Sequence, residues 1–268
     1  MLDELVNSLL YEGYALYPYT PGSTKNATPT PFGIVYPPAY AAQSPSTFDL
    51  ARIQCLAQAS SDGTLSATVW FLVASGDRHE AAERSVELGP TGLGERVSTP
   101  FPEGRLTLSS EQIEPGRWRV TCSVHNSLES SPDIERGAAL LRSLISTHIV
   151  LRVTGGTFVS PLEAEGCESV NSYPVLATPE DDTILGAAIV LPDHPQISPK
   201  SRINLFDNTE IEEALMLHVH VLSEEERESM SEQDPVVREM IQRALAATPE
   251  DIIALHGGFS PTDILKNG

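Results

Sequence analysis

The chain has 268 residues and a formal net charge of −20, from 17 Lys and Arg residues against 37 Asp and Glu residues. This acidic excess argues against binding nucleic acid by phosphate neutralisation and against docking on an anionic membrane. Hydrophobic residues make up 40 % of the sequence, which is enough to build a core. Since no run of 18 apolar residues occurs, we expect no transmembrane helix and no membrane insertion.

The N-terminal sequence and the cysteines are typical of a cytoplasmic protein. The sequence opens MLDELVNSLLYEGY, with acidic residues and no basic stretch, so a secretory signal is not expected. The three cysteines are odd in number and widely spaced, which fits a reducing compartment. Cys55 and Cys122 fall in apolar runs, and we expect both to be buried. We therefore predict a cytoplasmic location.

Residues 1–47 are predicted to comprise a helix and a Tyr- and Pro-rich segment. The apolar side chains of the helix recur at three- and four-residue spacing, at Leu2, Leu5, Val6, Leu9 and Leu10. This spacing predicts a helix over residues 2–13 that ends at Gly13. Six of the seven tyrosines follow between Tyr11 and Tyr40, interspersed with prolines. Proline excludes a regular helix or central strand there, so we expect an ordered, irregular segment with a short strand at residues 32–36.

Residues 48–221 are predicted to form a β-rich body. The runs 52–59 and 64–74 are apolar and are joined by the turn sequence Ser-Ser-Asp-Gly, which predicts a hairpin. The runs 106–113 and 117–124 flank Glu-Pro-Gly and predict a second hairpin. Apolar and polar residues alternate in its second strand, as in a half-buried strand. The charged interval 75–100 is predicted to be a long loop with one edge strand around residues 85–88.

The second half of this body is predicted to contain one helix and several strands. Residues 131–146 begin with a Ser-Pro pair suited to a helix start and carry an apolar stripe. A strand follows, and Gly155-Gly156 is predicted to reverse the chain into another strand at residues 157–160. Further strands are expected at three positions: residues 173–177, 184–191 and 214–221.

Residues 222–268 are predicted to form an acidic, helical C-terminal segment. Helix starts are indicated by the capping-box spacing that begins at Ser223 and by the pairs Asp234-Pro235 and Thr248-Pro249. The resulting fold class is α+β. It consists of a β-rich, antiparallel, sandwich-like body with an N-terminal helix and a C-terminal helical segment packed on it.

A metal site is one hypothesis for the chemistry of the chain. His218 and His220 stand two residues apart on a predicted strand, so both imidazoles project from one face and suit a divalent metal. No third ligand lies nearby in sequence, and two histidines on the polar face of a strand explain the same pattern. We also note the adjacent carboxylates Asp181 and Asp182 and the neighbouring pair Asp193 and His194. A solvated turn and a proline-rich loop account for these residues with fewer assumptions.

An interaction surface is the competing hypothesis. Tyr14, Tyr17 and Tyr19 lie close together, and Lys25 follows as one of only three lysines in the chain. Interfaces are enriched in tyrosine, which buries a large area with few rotatable bonds. We therefore predict that these four residues bind a protein partner; packing of the rings onto the body is the alternative.

Four stretches together resemble poorly characterised bacterial proteins whose genes often stand beside those of NiFe hydrogenases. They are LLYEGYALYPY (residues 9–19, followed by Lys25-Asn26), LRSLISTH (141–148), GTFVSP (156–161) and LFDNTEIEE (205–213). The His-Val-His sequence departs from the pattern of that family, which counts against the metal site. The resemblance implies a non-catalytic accessory, assembly or stabilising protein that binds a hydrogenase subunit or a maturation partner, with no cofactor. A metal-dependent protein using a divalent metal at His218 and His220, and a structural subunit of a larger complex, are the alternatives.

Overall fold

The fold is given by a computed structural model that describes residues 2–16, 33–43, 46–75 and 80–196. It also describes four helical residues further along the chain: Arg238, Gln242, Leu245 and Ala246. The chain divides into two compact units, Met1–Pro195 and Gln196–Gly268. The architecture below is that of the first unit. The predicted strand at 214–221 lies outside the described residues, as does the predicted C-terminal helical segment apart from those four helical residues.

Eight strands build the first unit, and every ladder between them is antiparallel. The sheet order is β3-β4-β5-β1-β6-β8-β7, and β2 also pairs with β1. The described helices of the first unit are α1 (Leu2–Leu16), α2 (Pro38–Ala41) and α3 (Arg136–Leu140). This confirms the predicted β-rich α+β class with an N-terminal helix. The strands are β1 (Leu50–Ser75), β2 (Glu80–Gly92), β3 (Arg96–Phe101), β4 (Gly104–Glu114), β5 (Arg117–Asn126), β6 (Ile145–Phe158), β7 (Tyr173–Leu176) and β8 (Thr183–Ala187).

Strand β1 changes its pairing partner near residues 60–63. Its first half pairs with β5 and its second half with β2, while β6 runs along both halves with a shift in register between Ala59 and Thr64. The predicted hairpin over residues 52–74 is therefore wrong, because the two halves pair with β6 and not with each other. The predicted reversal at Gly155-Gly156 is wrong for the same reason, since β6 continues through it.

Strand β1 bends at residues 60–63. Its second half packs across the layer formed by β3, β4, β5 and the first half of β1. The rings of Phe71 on β1 and Phe101 on β3 lie with their centroids 5.6 Å apart. Trp118 on β5 donates its indole N–H to the carbonyl oxygen of Ala59 at 3.2 Å. The apolar side chains between these strands form one continuous core. In β5 buried residues alternate with half-buried ones as predicted, and the β4–β5 hairpin is confirmed.

Helix α1 packs against β6 through its apolar face. Leu5, Val6, Leu9 and Leu10 are all buried, and the hydroxyl of Ser146 donates to the carbonyl of Leu9 at 3.4 Å. The helix runs past Gly13 to Leu16, so its predicted end is wrong. A single glycine costs a helix only about 1 kcal/mol, which packing against the sheet can offset.

Two other predicted elements differ from the structure. The helix predicted over residues 131–146 is reduced to α3, since Ile145 begins the β6 strand opposite Leu72 of β1. Residues 145–151 are buried throughout, as expected for a strand covered on both faces. The interval 75–100, predicted to be a long loop with one edge strand around residues 85–88, contains β2, which includes those residues, and most of β3. For β6, pairing with the distant β1 overrides the local helical pattern, whereas β2 and β3 pair with the neighbouring β1 and β4.

Candidate functional site

The structure describes one of the six residues predicted to bind a partner or a metal. Tyr14 belongs to the last turn of α1. The other five, which remain predictions, lie outside the described residues: Tyr17, Tyr19, Lys25, His218 and His220. Within the described part of the chain, no three His, Cys, Asp or Glu side chains come together where they could hold a metal ion.

The acidic residues near the end of the first unit are used in hydrogen bonds. Nε2 of His194 lies 2.8 Å from Oδ1 of Asp181, and both residues have positive φ, 54° and 55°. Asp193 does not pair with His194; it accepts from the hydroxyl of Ser160 and, at 2.8 Å, from the backbone N–H of Leu176. The Ser160 hydroxyl thus donates to the Asp193 carboxylate and is not activated by the His194 imidazole. We call these four side chains, at positions 160, 181, 193 and 194, the clamp.

Asp181 and Asp182 are adjacent in the turn before β8, but their carboxylates have different hydrogen-bond partners. Asp182 accepts from the hydroxyls of Thr178 at 2.7 Å and Thr183 at 2.8 Å. These two hydrogen bonds lower the pKa of Asp182. Because Asp181 is engaged with His194 instead, the pair does not form a shared cation site.

A buried histidine on β6 was not singled out by the sequence pattern. His148 is 1 % exposed, and its Nδ1 lies 2.7 Å from the carbonyl oxygen of Ser146. A carbonyl accepts, so Nδ1 carries the proton and Nε2 has a free lone pair. Burial lowers the pKa of His148 from 6.5 to about 4. The imidazole is therefore neutral at pH 7, and its Nε2 has no hydrogen-bond partner in the described structure. The only feature of the sequence that draws attention to His148 is its position as the last residue of the LRSLISTH stretch.

The cysteines are held in the thiol form. Cys55 and Cys122 are buried as predicted, and burial raises the pKa of both, that of Cys122 to about 12. Cys167 is partly buried, and burial also raises its pKa despite the nearby guanidinium groups of Arg119 and Arg117. A thiol with a raised pKa forms little thiolate, so these side chains are poor nucleophiles at neutral pH.

The outer face of the layer β3-β4-β5-β1 is polar and carries arginines. In antiparallel ladders directly opposed residues lie on the same face, so register defines its rows. One row crosses the layer as Ser98, Thr107, Ser123 and Arg52. The next row crosses it as Arg96, Ser109, Thr121 and Gln54. We call this surface the outer face; further arginines on it are Arg105, Arg117 and Arg119.

Three arginines of the outer face are engaged in ion pairs and two are not. The ion pairs are Arg119–Glu111 at 2.8 Å, Arg52–Glu168 at 3.5 Å and Arg117–Glu114 at 3.6 Å. Arg96 and Arg105 are exposed, and within the described ranges neither makes an ion pair. This face thus combines five of the 17 basic residues of an acidic chain with a field of hydroxyl groups.

Two of the stretches that carry the family resemblance meet in the structure. Leu9 of α1 accepts the hydrogen bond from Ser146 of the LRSLISTH stretch. The GTFVSP stretch ends β6 and supplies Ser160 to the clamp. These stretches therefore fix α1 and the end of β6 to the body, which is a structural role.

Comparison with protein-family models and with curated proteins finds no match for this chain. No helix of the described residues is long and apolar enough to cross a membrane.

Proposed function

We propose that the chain is a non-catalytic accessory protein of the cytoplasm that binds a protein partner, a NiFe hydrogenase subunit or a maturation partner. The observation that carries this proposal is the outer face, where Arg96 and Arg105 are exposed and have no ion-pair partner in the described structure. Arginine is enriched in protein interfaces because its planar guanidinium makes several hydrogen bonds and also packs. The hydrogenase as partner rests on the resemblance of the four sequence stretches.

The hydroxyl rows support the same proposal. Ser98 and Thr107 lie 3.1 Å apart through their hydroxyl oxygens, and Thr121 accepts from the Gln54 side chain at 3.2 Å. Short side chains of this kind keep the face flat and lose little conformational entropy when covered. The exposed guanidinium groups on either side of them can then form charge-assisted hydrogen bonds with a partner.

Affinity capture from the native host tests the proposal. The tagged full chain should recover a hydrogenase component or maturation protein. The variant Arg96→Glu/Arg105→Glu should recover at least tenfold less of it, because each interface arginine contributes about 1 kcal/mol or more to the binding free energy. Arg142→Glu is a control off this face, since Arg142 is exposed after α3 and its guanidinium donates to the carbonyl of Ala138. Recovery of no hydrogenase component by the wild-type chain would reject the hydrogenase as partner.

A further inference from the structure

Among the described residues, strand β2 has a long edge with no strand paired to it, which we call the free edge. It spans 13 residues and pairs with β1 from Thr64 opposite Gly92 to Ser75 opposite Glu80. No other described strand pairs with it. The terminal strands β3 and β7 of the main sheet order have only six and four residues. An unpaired edge exposes a row of N–H and C=O groups that another strand can join, and native proteins usually shorten, cover or interrupt such edges.

The middle of β2 is continuous, and its protection consists of the charged side chains of Glu83, Arg84 and Glu87. Pro90 stands near the end of the strand, and residues 81–88 contain no proline, lysine or glycine. Arg84 donates to the carbonyl oxygen of Glu83 at 3.0 Å, which occupies one backbone acceptor. The remaining strand is long enough to pair with seven or more residues of another chain.

The two sides of β2 have different chemistry. Val86 and Leu88 lie opposite Val69 and Ala67 on the core side, where Arg84, opposite Phe71, is the one charged residue of β2 between residues 82 and 88. Glu83 and Glu87 lie on the other side of the sheet, opposite Leu72 and Thr68. An added strand would continue both rows, so it needs apolar residues on the core side and basic residues beside the two glutamates.

We propose that the free edge of β2 binds an extended segment of a partner protein in which apolar residues alternate with Lys or Arg. The added strand would extend the sheet through backbone hydrogen bonds, with its basic side chains facing Glu83 and Glu87. This inference rests on the proposed function in assuming that the protein acts by binding, but it concerns a surface separate from the outer face.

Charge argues against one pairing of two copies of β2 at this edge. Two antiparallel copies related by a two-fold axis at Ser85 would place Glu83 opposite Glu87 twice. Like charges directly opposed across a ladder are destabilising. A partner strand with basic residues removes this repulsion and is attracted by the charge of −20 on the chain.

The test uses the full chain and a nine-residue synthetic peptide that alternates lysine and valine. Binding is measured by calorimetry, and hydrogen exchange of the β2 amides is measured with and without peptide. We expect the peptide to slow exchange at alternate β2 residues, because alternate N–H groups point to the free edge. Glu83→Lys/Glu87→Lys should weaken binding on the order of tenfold, as two favourable cross-strand pairs become unfavourable.

Two controls separate strand pairing from attraction by net charge. A peptide with the same composition in two blocks, five lysines followed by four valines, should bind at least tenfold more weakly and leave β2 exchange unchanged. Glu129→Lys/Glu180→Lys makes the same charge change at exposed residues away from β2 and should leave the affinity within about twofold. Equal loss in both double variants, or protection outside β2, would overturn the inference.

Light scattering and capture from the native host complete the test. A wild-type dimer in which the β2 amides are protected from exchange without peptide would show that a second copy occupies the edge and would also overturn the inference. If wild type and this variant recover the same partner equally well, the inference fails while the proposed function stands. If wild type recovers no partner, the proposed function itself fails.

Discussion

Gly156 lies directly opposite Ala59 in the β1–β6 ladder, with no room for a side chain between them. A β-carbon on Gly156 would lie 2.5 Å from the carbonyl oxygen of Gln58 and 2.8 Å from the α-carbon of Ala59. Atoms of the backbone cannot move aside as a flexible side chain can. This contact lies where β1 changes its pairing partner. It therefore sets how closely β1 and β6 approach each other at the bend.

We predict that Gly156→Ala lowers the free energy of unfolding by roughly 1–3 kcal/mol, because the added methyl group overpacks a rigid site. Urea denaturation followed by circular dichroism measures the change. Gly92→Ala is the matched control: the nearest atom to a β-carbon there, on the Glu95 side chain, is 3.4 Å away. Equal free energies of unfolding for the two variants would contradict the inference that the contact between Gly156 and Ala59 sets the bend.

This bend also explains which strands could be predicted from the sequence. The turn sequence at residues 60–63 and the pair Gly155-Gly156 each predicted a hairpin, and they instead stand across from each other at one corner. Turn residues show that the chain can change direction, but not which distant strand accompanies it. The β4–β5 hairpin was predicted correctly because Glu114-Pro115-Gly116 joins strands that pair with each other.

The candidate surfaces were predictable only in part, for a similar reason. The residues Asp181, Asp193 and His194 stood out in the sequence, but their partners depend on tertiary structure and differ from the neighbours in sequence. The outer face could not be predicted, since its arginines span positions 52 to 119 and meet only through strand register. The free edge of β2 includes the edge strand predicted around residues 85–88, but its 13-residue length was not predicted.

The buried His148 predicts a specific pH dependence of stability. Its pKa in the folded protein is about 4, against 6.5 when exposed, so between these values the unfolded chain binds a proton that the folded protein does not. The contribution of His148 to the free energy of unfolding is therefore largest above pH 6.5 and decreases as the pH falls to 4. The loss is about 1.4 kcal/mol per pH unit within this window.

We predict that His148→Leu reduces this pH dependence of the free energy of unfolding between pH 6.5 and 4. Urea denaturation at pH 7, 6 and 5 compares the slopes of the variant and wild type. Imidazole signals in a magnetic-resonance titration should show His148 still neutral at pH 5.5. A His148 titration midpoint near 6.5 would contradict its burial as the cause.

The clamp predicts local stability at the end of the first unit. Asp193→Ala removes the acceptor of the Ser160 hydroxyl and of the Leu176 N–H, so we expect a loss of about 1–3 kcal/mol. Limited proteolysis should also cut more rapidly near residues 190–196. Glu180→Ala, at an exposed residue of the turn before β8, should change neither measurement. Unchanged proteolysis in Asp193→Ala would show that the clamp does not hold this segment.

The contact between Phe71 and Phe101 predicts an energetic coupling between distant parts of the sequence. Phe71 is fully buried, and its ring packs on that of Phe101 at a centroid distance of 5.6 Å. Such ring pairs contribute about 0.5–1.5 kcal/mol beyond the area they bury. A double-mutant cycle with Phe71→Leu and Phe101→Leu should therefore give a coupling energy of about this size in urea denaturation, while leucine keeps most of the core filled.

A second cycle shows whether that coupling comes from the contact itself. Phe158 is also buried, but it pairs with Ala57, in the other half of β1 from Phe71. Phe158→Leu combined with Phe71→Leu should be additive within about 0.5 kcal/mol, as expected for residues that do not touch. If both cycles gave the same coupling, the energy would belong to the core as a whole. Coupling confined to Phe71 and Phe101 would mean that this contact holds the second half of β1 across the layer formed by β3, β4 and β5.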